Sequence, residues 1–122
     1  MFGGNSNWRG PIWIPINYLL IGAIKKFGSF YGDSLKVAYP TRSGNMINLS
    51  QVAEELTKRL CHLFEQDETG NRPVYEDYQE FYNRPENKDL VLFYEYYNGD
   101  TCCGLGASHQ TGWSAVIVDL LR

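Results

Sequence analysis

The chain has 122 residues, a net charge of −3 and an aromatic share of 15%, carried by 9 Tyr, 6 Phe and 3 Trp. That length allows one domain or part of one. The basic residues form no stripe, which argues against a nucleic-acid partner, and no apolar run approaches the roughly 18 residues of a membrane span.

Met1 leads straight into Phe2-Gly3-Gly4, without the basic start and apolar stretch of a signal peptide. Residues 1–11 read as a loop, rich in Gly and Asn and closed by Gly10-Pro11. A helix is predicted over 12–27, with Pro15 tolerated in its first turn and Gly28 ending it. Its apolar positions (Trp13, Ile14, Ile16, Leu19, Leu20, Ile21, Ala23, Ile24, Phe27) run almost all the way round. A helix of that kind is normally buried on every side. Residues 28–48 are turn-rich.

The clearest helix is predicted over 49–65. Asn48 followed by Gln51 fits a capping box, and Leu49, Val52, Ala53, Leu56, Leu60, Leu63 and Phe64 form one apolar stripe. Glu54 to Lys58 and Glu55 to Arg59 are well-oriented i,i+4 pairs on the opposite face. Residues 67–71 are a turn, and Arg72-Pro73 blocks helical continuation. A short helix is predicted within 76–82, before the break at Asn83-Arg84-Pro85. Residues 90–97 read as a strand or extended segment, and Asn98-Gly99 as a turn. Thr111 is placed to cap a last helix over 112–121, again apolar nearly all round. Two such helices cannot cover each other in so short a chain. The pattern therefore implies inner helices of a larger helical assembly, or a homo-oligomer that supplies the missing surface.

The three cysteines, Cys61, Cys102 and Cys103, are odd in number and lack metal-ligand spacing, even with His62 and His109 counted. Free thiols are expected, which favours a reducing, cytoplasmic setting. No motif calls for a cofactor or a metal.

Chemistry concentrates near the C-terminus, where Leu92-Phe93-Tyr94-Glu95-Tyr96-Tyr97 sets one carboxylate among aromatics. The polar, Gly-rich run Gly104-Leu105-Gly106-Ala107-Ser108-His109-Gln110 follows it. Asn7-Trp8-Arg9-Gly10-Pro11-Ile12-Trp13 is a second such segment. Aromatic platforms around a carboxylate and an Arg suit carbohydrate, whose flat C–H faces stack on rings while its hydroxyls need forked partners.

These segments, with Asn17-Tyr18-Leu19-Leu20, Pro40-Thr41-Arg42-Ser43-Gly44-Asn45 and the continuation Thr111-Gly112-Trp113, resemble glycoside hydrolase family 63, which includes processing alpha-glucosidases and mannosylglycerate hydrolases. The resemblance covers essentially the whole chain. It implies an (α/α)6 barrel of which residues 1–122 form the C-terminal part, with the N-terminal part missing. It implies an inverting mechanism, in which one carboxylic acid protonates the leaving oxygen and an opposed carboxylate roughly 6.5–9.5 Å away activates water. Glu95 matches the general base. The matching general acid is an Asp upstream of this chain; Asp33, Asp67, Asp77 and Asp89 lie in turns and polar loops, where surface carboxylates are the norm.

For the other candidates the residues leave two readings open. Trp8 and Trp13 are either sugar platforms or core aromatics. Arg9 either forks onto a hydroxyl or carboxylate or ties down its loop. Asn17 is a site residue or a satisfied amide. His109, Gln110 and Trp113 border the cleft by resemblance, or stabilise their loop. Asn48-Leu49-Ser50 fits a glycosylation triplet, although Asn48 is better explained as a cap. Two functions remain: the C-terminal part of a glycosidase acting on alpha-linked glucosides or related sugars, or a catalytically inactive module that retains a sugar-lining surface. The partner is a carbohydrate in the first case, and the missing part of the barrel or a second copy in the other.

Overall fold

The computed structural model describes residues 6–122, and the first half of the N-terminal Gly- and Asn-rich run lies outside them. The chain is mainly helical. In order it forms α1 (Ser6–Arg9), α2 (Ile14–Tyr31), a 3-10 turn (Gly32–Ser34), strands β1 (Lys36–Ala38) and β2 (Met46–Asn48), and α3 (Leu49–His62). A 3-10 segment (Pro73–Tyr78), α4 (Gln79–Tyr82), strands β3 (Tyr96–Tyr97) and β4 (Gly104–Leu105), a 3-10 turn (Ser114–Val116) and α5 (Ile117–Leu120) complete it.

Helix α2 starts two residues later than expected, with Pro15 in its first turn, and runs past Gly28 to Tyr31. Gly28 does not end the helix; it lets the helix approach α3. A Cβ there would lie 2.5 Å from Ser50 Oγ and 2.7 Å from Ser50 N. The terminator is Gly32 at φ 51, whose N–H closes on the Gly28 carbonyl. Ile14, Ile21 and Gly28 are buried and recur every two turns, so they form one seam.

The expectation of burial on every side fails within this chain. Ile16 (50% exposed), Leu19 (67%), Leu20 (51%), Phe27 (57%) and Phe30 (80%) stand open to solvent. The 122 residues supply α2 with one covering face and leave the other uncovered.

Helix α3 follows its sequence closely. Asn48 Oδ1 accepts the Gln51 N–H at 2.9 Å, and Gln51 Oε1 accepts the Asn48 N–H at 3.0 Å, a complete capping box. The Asn48 amide also donates to Asp33 Oδ1 at 2.8 Å. Val52, Ala53, Leu60 and Cys61 are buried, as the stripe predicts. The ion pair on the far face differs in register: Lys58 Nζ meets Glu55 Oε1 at 2.8 Å, three residues apart rather than four. β1 and β2 form an antiparallel hairpin (Lys36 opposite Asn48, Ala38 opposite Met46) within the region read as turns. This hairpin delivers the chain into the α3 cap.

The core gathers Ile14, Ile21, Ala53, Leu60, Leu63 and Phe64 with Val74, Tyr75, Tyr82, Tyr94, Tyr97 and Ile117. Its distal half is aromatic. Tyr75 stacks on Tyr82 at 3.7 Å, Tyr82 and Tyr94 hydroxyls meet at 3.0 Å, and Tyr97 sets its edge against Phe64 at 5.5 Å. Burial pushes the Tyr94 and Tyr97 hydroxyls above the usual phenol range, so both stay neutral. The cysteines are free thiols, and burial raises all three above the usual thiol range, which disfavours the thiolate.

The C-terminal helix is shorter than its composition suggests. Thr111 makes no cap. Instead the Gln110 carbonyl accepts N–H groups from Trp113 (3.1 Å), Ser114 (3.1 Å) and Ala115 (3.4 Å), and Trp113 is non-helical at φ −119, ψ −81. The buried Ser114 hydroxyl donates to the Tyr94 carbonyl, a contact that fixes the chain before α5 begins. Among the described residues no helix is long and apolar enough to cross a membrane.

Two outcomes follow for this frame. Asn48→Ala removes the cap and should lower stability by about 1 kcal/mol, read as a shift in denaturant midpoint at constant slope. The uncovered α2 face carries five large, exposed apolar side chains, and a soluble monomer rarely exposes a contiguous apolar patch beyond a few hundred Å². The isolated chain should therefore self-associate in sedimentation and bind a hydrophobic dye, and Leu20→Lys with Phe27→Glu should reduce both; a monomeric profile without dye binding would contradict this.

Candidate functional site

The site begins with a backbone pairing between distant segments. Ile12 N–H donates to the Tyr97 carbonyl at 2.7 Å and Tyr97 N–H to the Ile12 carbonyl at 2.9 Å. This brings the segment before α2 alongside β3, with Tyr96 opposite Leu105 and Tyr97 opposite Gly104 on β4. The sequence predicted an extended segment over 90–97; only Tyr96–Tyr97 forms a ladder. The approach is close: a Cβ on Gly99 would strike the Gly10 carbonyl oxygen, and one on Gly104 would strike the Tyr94 ring.

The pairing assembles three aromatic residues around Trp13. Trp8 stacks on Trp13 at 4.4 Å and 20°, Tyr96 lies on it at 4.8 Å and 30°, and Trp113 meets it edge-on at 6.4 Å and 83°. Trp13 precedes α2 as its N-cap residue and is buried at 7% exposure, whereas Trp8 is 59% exposed. Trp13 is thus a buried ring stacked on an exposed one. Trp113 is half-buried, and its indole N–H has no partner among the described residues.

Glu95 precedes Tyr96 and is half-buried. Its N–H donates to the Ala107 carbonyl at 2.8 Å, and the Ala107 N–H returns to Glu95 Oε2 at 3.3 Å. Gly106, at φ 73, has no room for a side chain: a Cβ would lie 2.6 Å from Oε2 and 2.9 Å from Glu95 Cβ. The Gln110 N–H donates to the Phe93 carbonyl at 2.7 Å. Tyr94 is held on both sides, its N–H on the Tyr97 hydroxyl at 3.1 Å and its carbonyl on the Ser114 hydroxyl.

The remaining candidates divide. Asn17 donates its amide to the Trp13 carbonyl one turn back at 2.8 Å, a bond that ties the amide to its own helix. Gln110 contributes main-chain bonds at both N–H and carbonyl, so its loop role is built in. Arg9, at the end of α1, and His109 are exposed. Asp33 accepts from Asn48, and Asp67 Oδ1 organises its turn through Thr69 N (2.8 Å), Thr69 Oγ1 (2.7 Å) and Asn71 N (2.9 Å). Asp77 and Asp89 are exposed. Residue reading missed Tyr96 as a member of the ring cluster and missed the contacts of Gly106, Ala107 and Ser114. The Gly104-x-Gly106 spacing was the available signal for the first two.

Against known proteins, the chain matches the family model described as the glycosyl hydrolase family 63 C-terminal domain over residues 3–122. The chain belongs to glycosyl hydrolase family 63. The resemblance read from its motifs is therefore borne out. It is 51% identical over 119 residues to an uncharacterized protein of Saccharomyces cerevisiae, a match covering 96% of this chain. It is 30% identical over 121 residues, 98% of the chain, to the mannosyl-oligosaccharide glucosidase of the same yeast. A probable mannosyl-oligosaccharide glucosidase of Schizosaccharomyces pombe is 23% identical over 118 residues, 97% of the chain. The chain spans 11% of the length of each of these relatives. No solved structure gives a significant match.

Proposed function

We propose that the chain is the C-terminal part of an inverting glycoside hydrolase acting on alpha-linked glucosides or related sugars, with Glu95 as the general base. The observation that carries this reading is the Glu95 carboxylate, anchored by the Ala107 amide and next in the chain to Tyr96, which belongs to the ring cluster of Trp8, Trp13 and Trp113. Family membership and the glucosidase names of two relatives support the reaction class.

In this mechanism Glu95 takes a proton from water as the water oxygen bonds to the anomeric carbon, on the face opposite the leaving group. The bond from that carbon to the leaving oxygen breaks, and that oxygen takes a proton from a carboxylic acid across the cleft. The acid is an Asp outside these 122 residues, since the chain's own turn and surface Asp residues match no catalytic motif. Trp8 offers its exposed ring face to the sugar, with Trp13 beneath it and Trp113 bordering the cleft; Arg9 and His109 extend from the rim. The uncovered α2 face supports the barrel reading: residues 1–122 belong to an (α/α)6 barrel whose other helices cover Ile16, Leu19, Leu20, Phe27 and Phe30. By itself the chain is then a catalytically silent module with half of the carboxylate pair.

The 122-residue chain alone should show no hydrolysis of alpha-glucosides, since loss of acid assistance alone removes about 10²–10⁴-fold of rate and positioning is lost with it. Turnover by the purified chain that disappears in Glu95→Gln would contradict this. Joined to the upstream part of a family glucosidase, the chain should support turnover with inversion at the anomeric carbon. There Glu95→Gln should reduce kcat by about 10²–10⁴-fold with KM little changed. Near-normal turnover of that variant, or retained configuration, would remove Glu95 from the base role.

A further inference from the structure

The two carboxylate oxygens of Glu95 have different surroundings. Oε2 receives the Ala107 N–H at 3.3 Å, whereas no hydrogen bond from the described residues reaches Oε1. The loop carrying that N–H is turned by Gly106 at φ 73, a conformation that favours glycine. A Cβ at Gly106 would press on Oε2 at 2.6 Å, on Glu95 Cβ at 2.9 Å and on the Tyr96 ring at 3.0 Å. Gly106 thus meets two separate demands, a left-handed backbone and an empty side-chain position.

The main chain under the carboxylate is fixed from the other side. Ser114, fully buried, donates its hydroxyl to the Tyr94 carbonyl and lies 3.5 Å from the Glu95 carbonyl. Glu95 N–H is held by the Ala107 carbonyl at 2.8 Å. Backbone and side chain of Glu95 therefore lean on residues from the single stretch 106–114. A base works only within hydrogen-bond reach of the proton it removes, so a supporting shell that fixes one oxygen leaves the other with a defined direction.

We propose that Gly106, Ala107 and Ser114 are the positioning residues of Glu95: they hold Oε2 through the Ala107 amide and leave Oε1 as the oxygen that takes the proton from water. The proposal rests on the general-base reading for its catalytic meaning. The anchor itself is measurable in the chain without turnover, so the two can fail separately.

The test uses the ¹⁵N-labelled 122-residue chain. An amide bonded to a carboxylate oxygen shifts its resonance as that carboxyl titrates, so the Ala107 amide should move with pH in the unaltered chain and stop moving in Glu95→Gln. It should also stop moving in Gly106→Ala and in Gly106→Asn. Asn tolerates the positive φ but still carries a Cβ, so the second variant separates lack of space from backbone strain. Ser114→Ala should speed hydrogen exchange at the Glu95 and Ala107 amides about tenfold, the weight of one such bond. Exchange read by mass spectrometry on peptides spanning 93–97 and 104–108 gives this result even where the chain self-associates. A pH-independent Ala107 amide in the unaltered chain, or a response retained in both Gly106 variants, would overturn the anchor. Unchanged exchange in Ser114→Ala would remove Ser114 from the set. If the anchor holds while Glu95→Gln keeps its turnover in the completed enzyme, the base reading alone has failed.

Discussion

The pairing of Ile12 with Tyr97 is the constraint on which the rest of the structure depends. Tyr97 is fully buried, so its N–H and carbonyl cannot turn to water and must find partners in the protein. Both find Ile12. The same residue uses its hydroxyl to accept the Tyr94 N–H and its ring to pack on Phe64, just past the end of α3. One residue thereby joins the segment before α2, the α3 end of the core and the Glu95 segment. Trp13 follows Ile12 and Tyr96 precedes Tyr97, so the aromatic cluster is a geometric consequence of this pairing.

A second constraint is the lack of regular structure around Glu95. Glu95 lies just before a two-residue strand, and its neighbours in space come from the loop between β4 and the last 3-10 turn. Irregular backbone must have its polar groups satisfied singly. Here the bonds run from Gln110 to Phe93, from Ser114 to Tyr94, and in both directions between Glu95 and Ala107. Each residue from 93 to 95 is tied to the 107–114 stretch. That crosslinking gives a loop-borne carboxylate the fixed position that helices and sheets usually provide.

The helices show where this chain stops being self-sufficient. Ile14, Ile21 and Gly28 seat α2 on α3, and the close approach at Ser50 requires Gly28. On the other side of the same helix large apolar residues stay in water, at a cost that burial would remove at about 25 cal/mol per Å². A helix apolar all round needs neighbours all round, and within 122 residues α2 has them on one side. The short share of its relatives' length that the chain spans accords with this imbalance.

Local signals in the sequence determined the parts of the fold that depend on neighbouring residues. The capping box at Asn48 and Gln51, the stripe of α3 and the turn at 67–71 all formed as read, because their hydrogen bonds and periodicity are closed within a few residues. The motif run around Glu95 identified the family for a similar reason, since it is legible as order and spacing alone. What only the tertiary structure decided involves long-range pairing: Gly28 as a crossing point instead of a terminator, the shortened C-terminal helix, Asn17 bonded to its own helix, and Tyr96 as part of the ring cluster on Trp13. Propensity can predict a helix over 112–121, but it cannot show that the Ser114 hydroxyl will be claimed by the Tyr94 carbonyl. Composition can mark α2 as apolar on every side, but which side meets α3 is set by the one seam, through Gly28, along which the two backbones can approach.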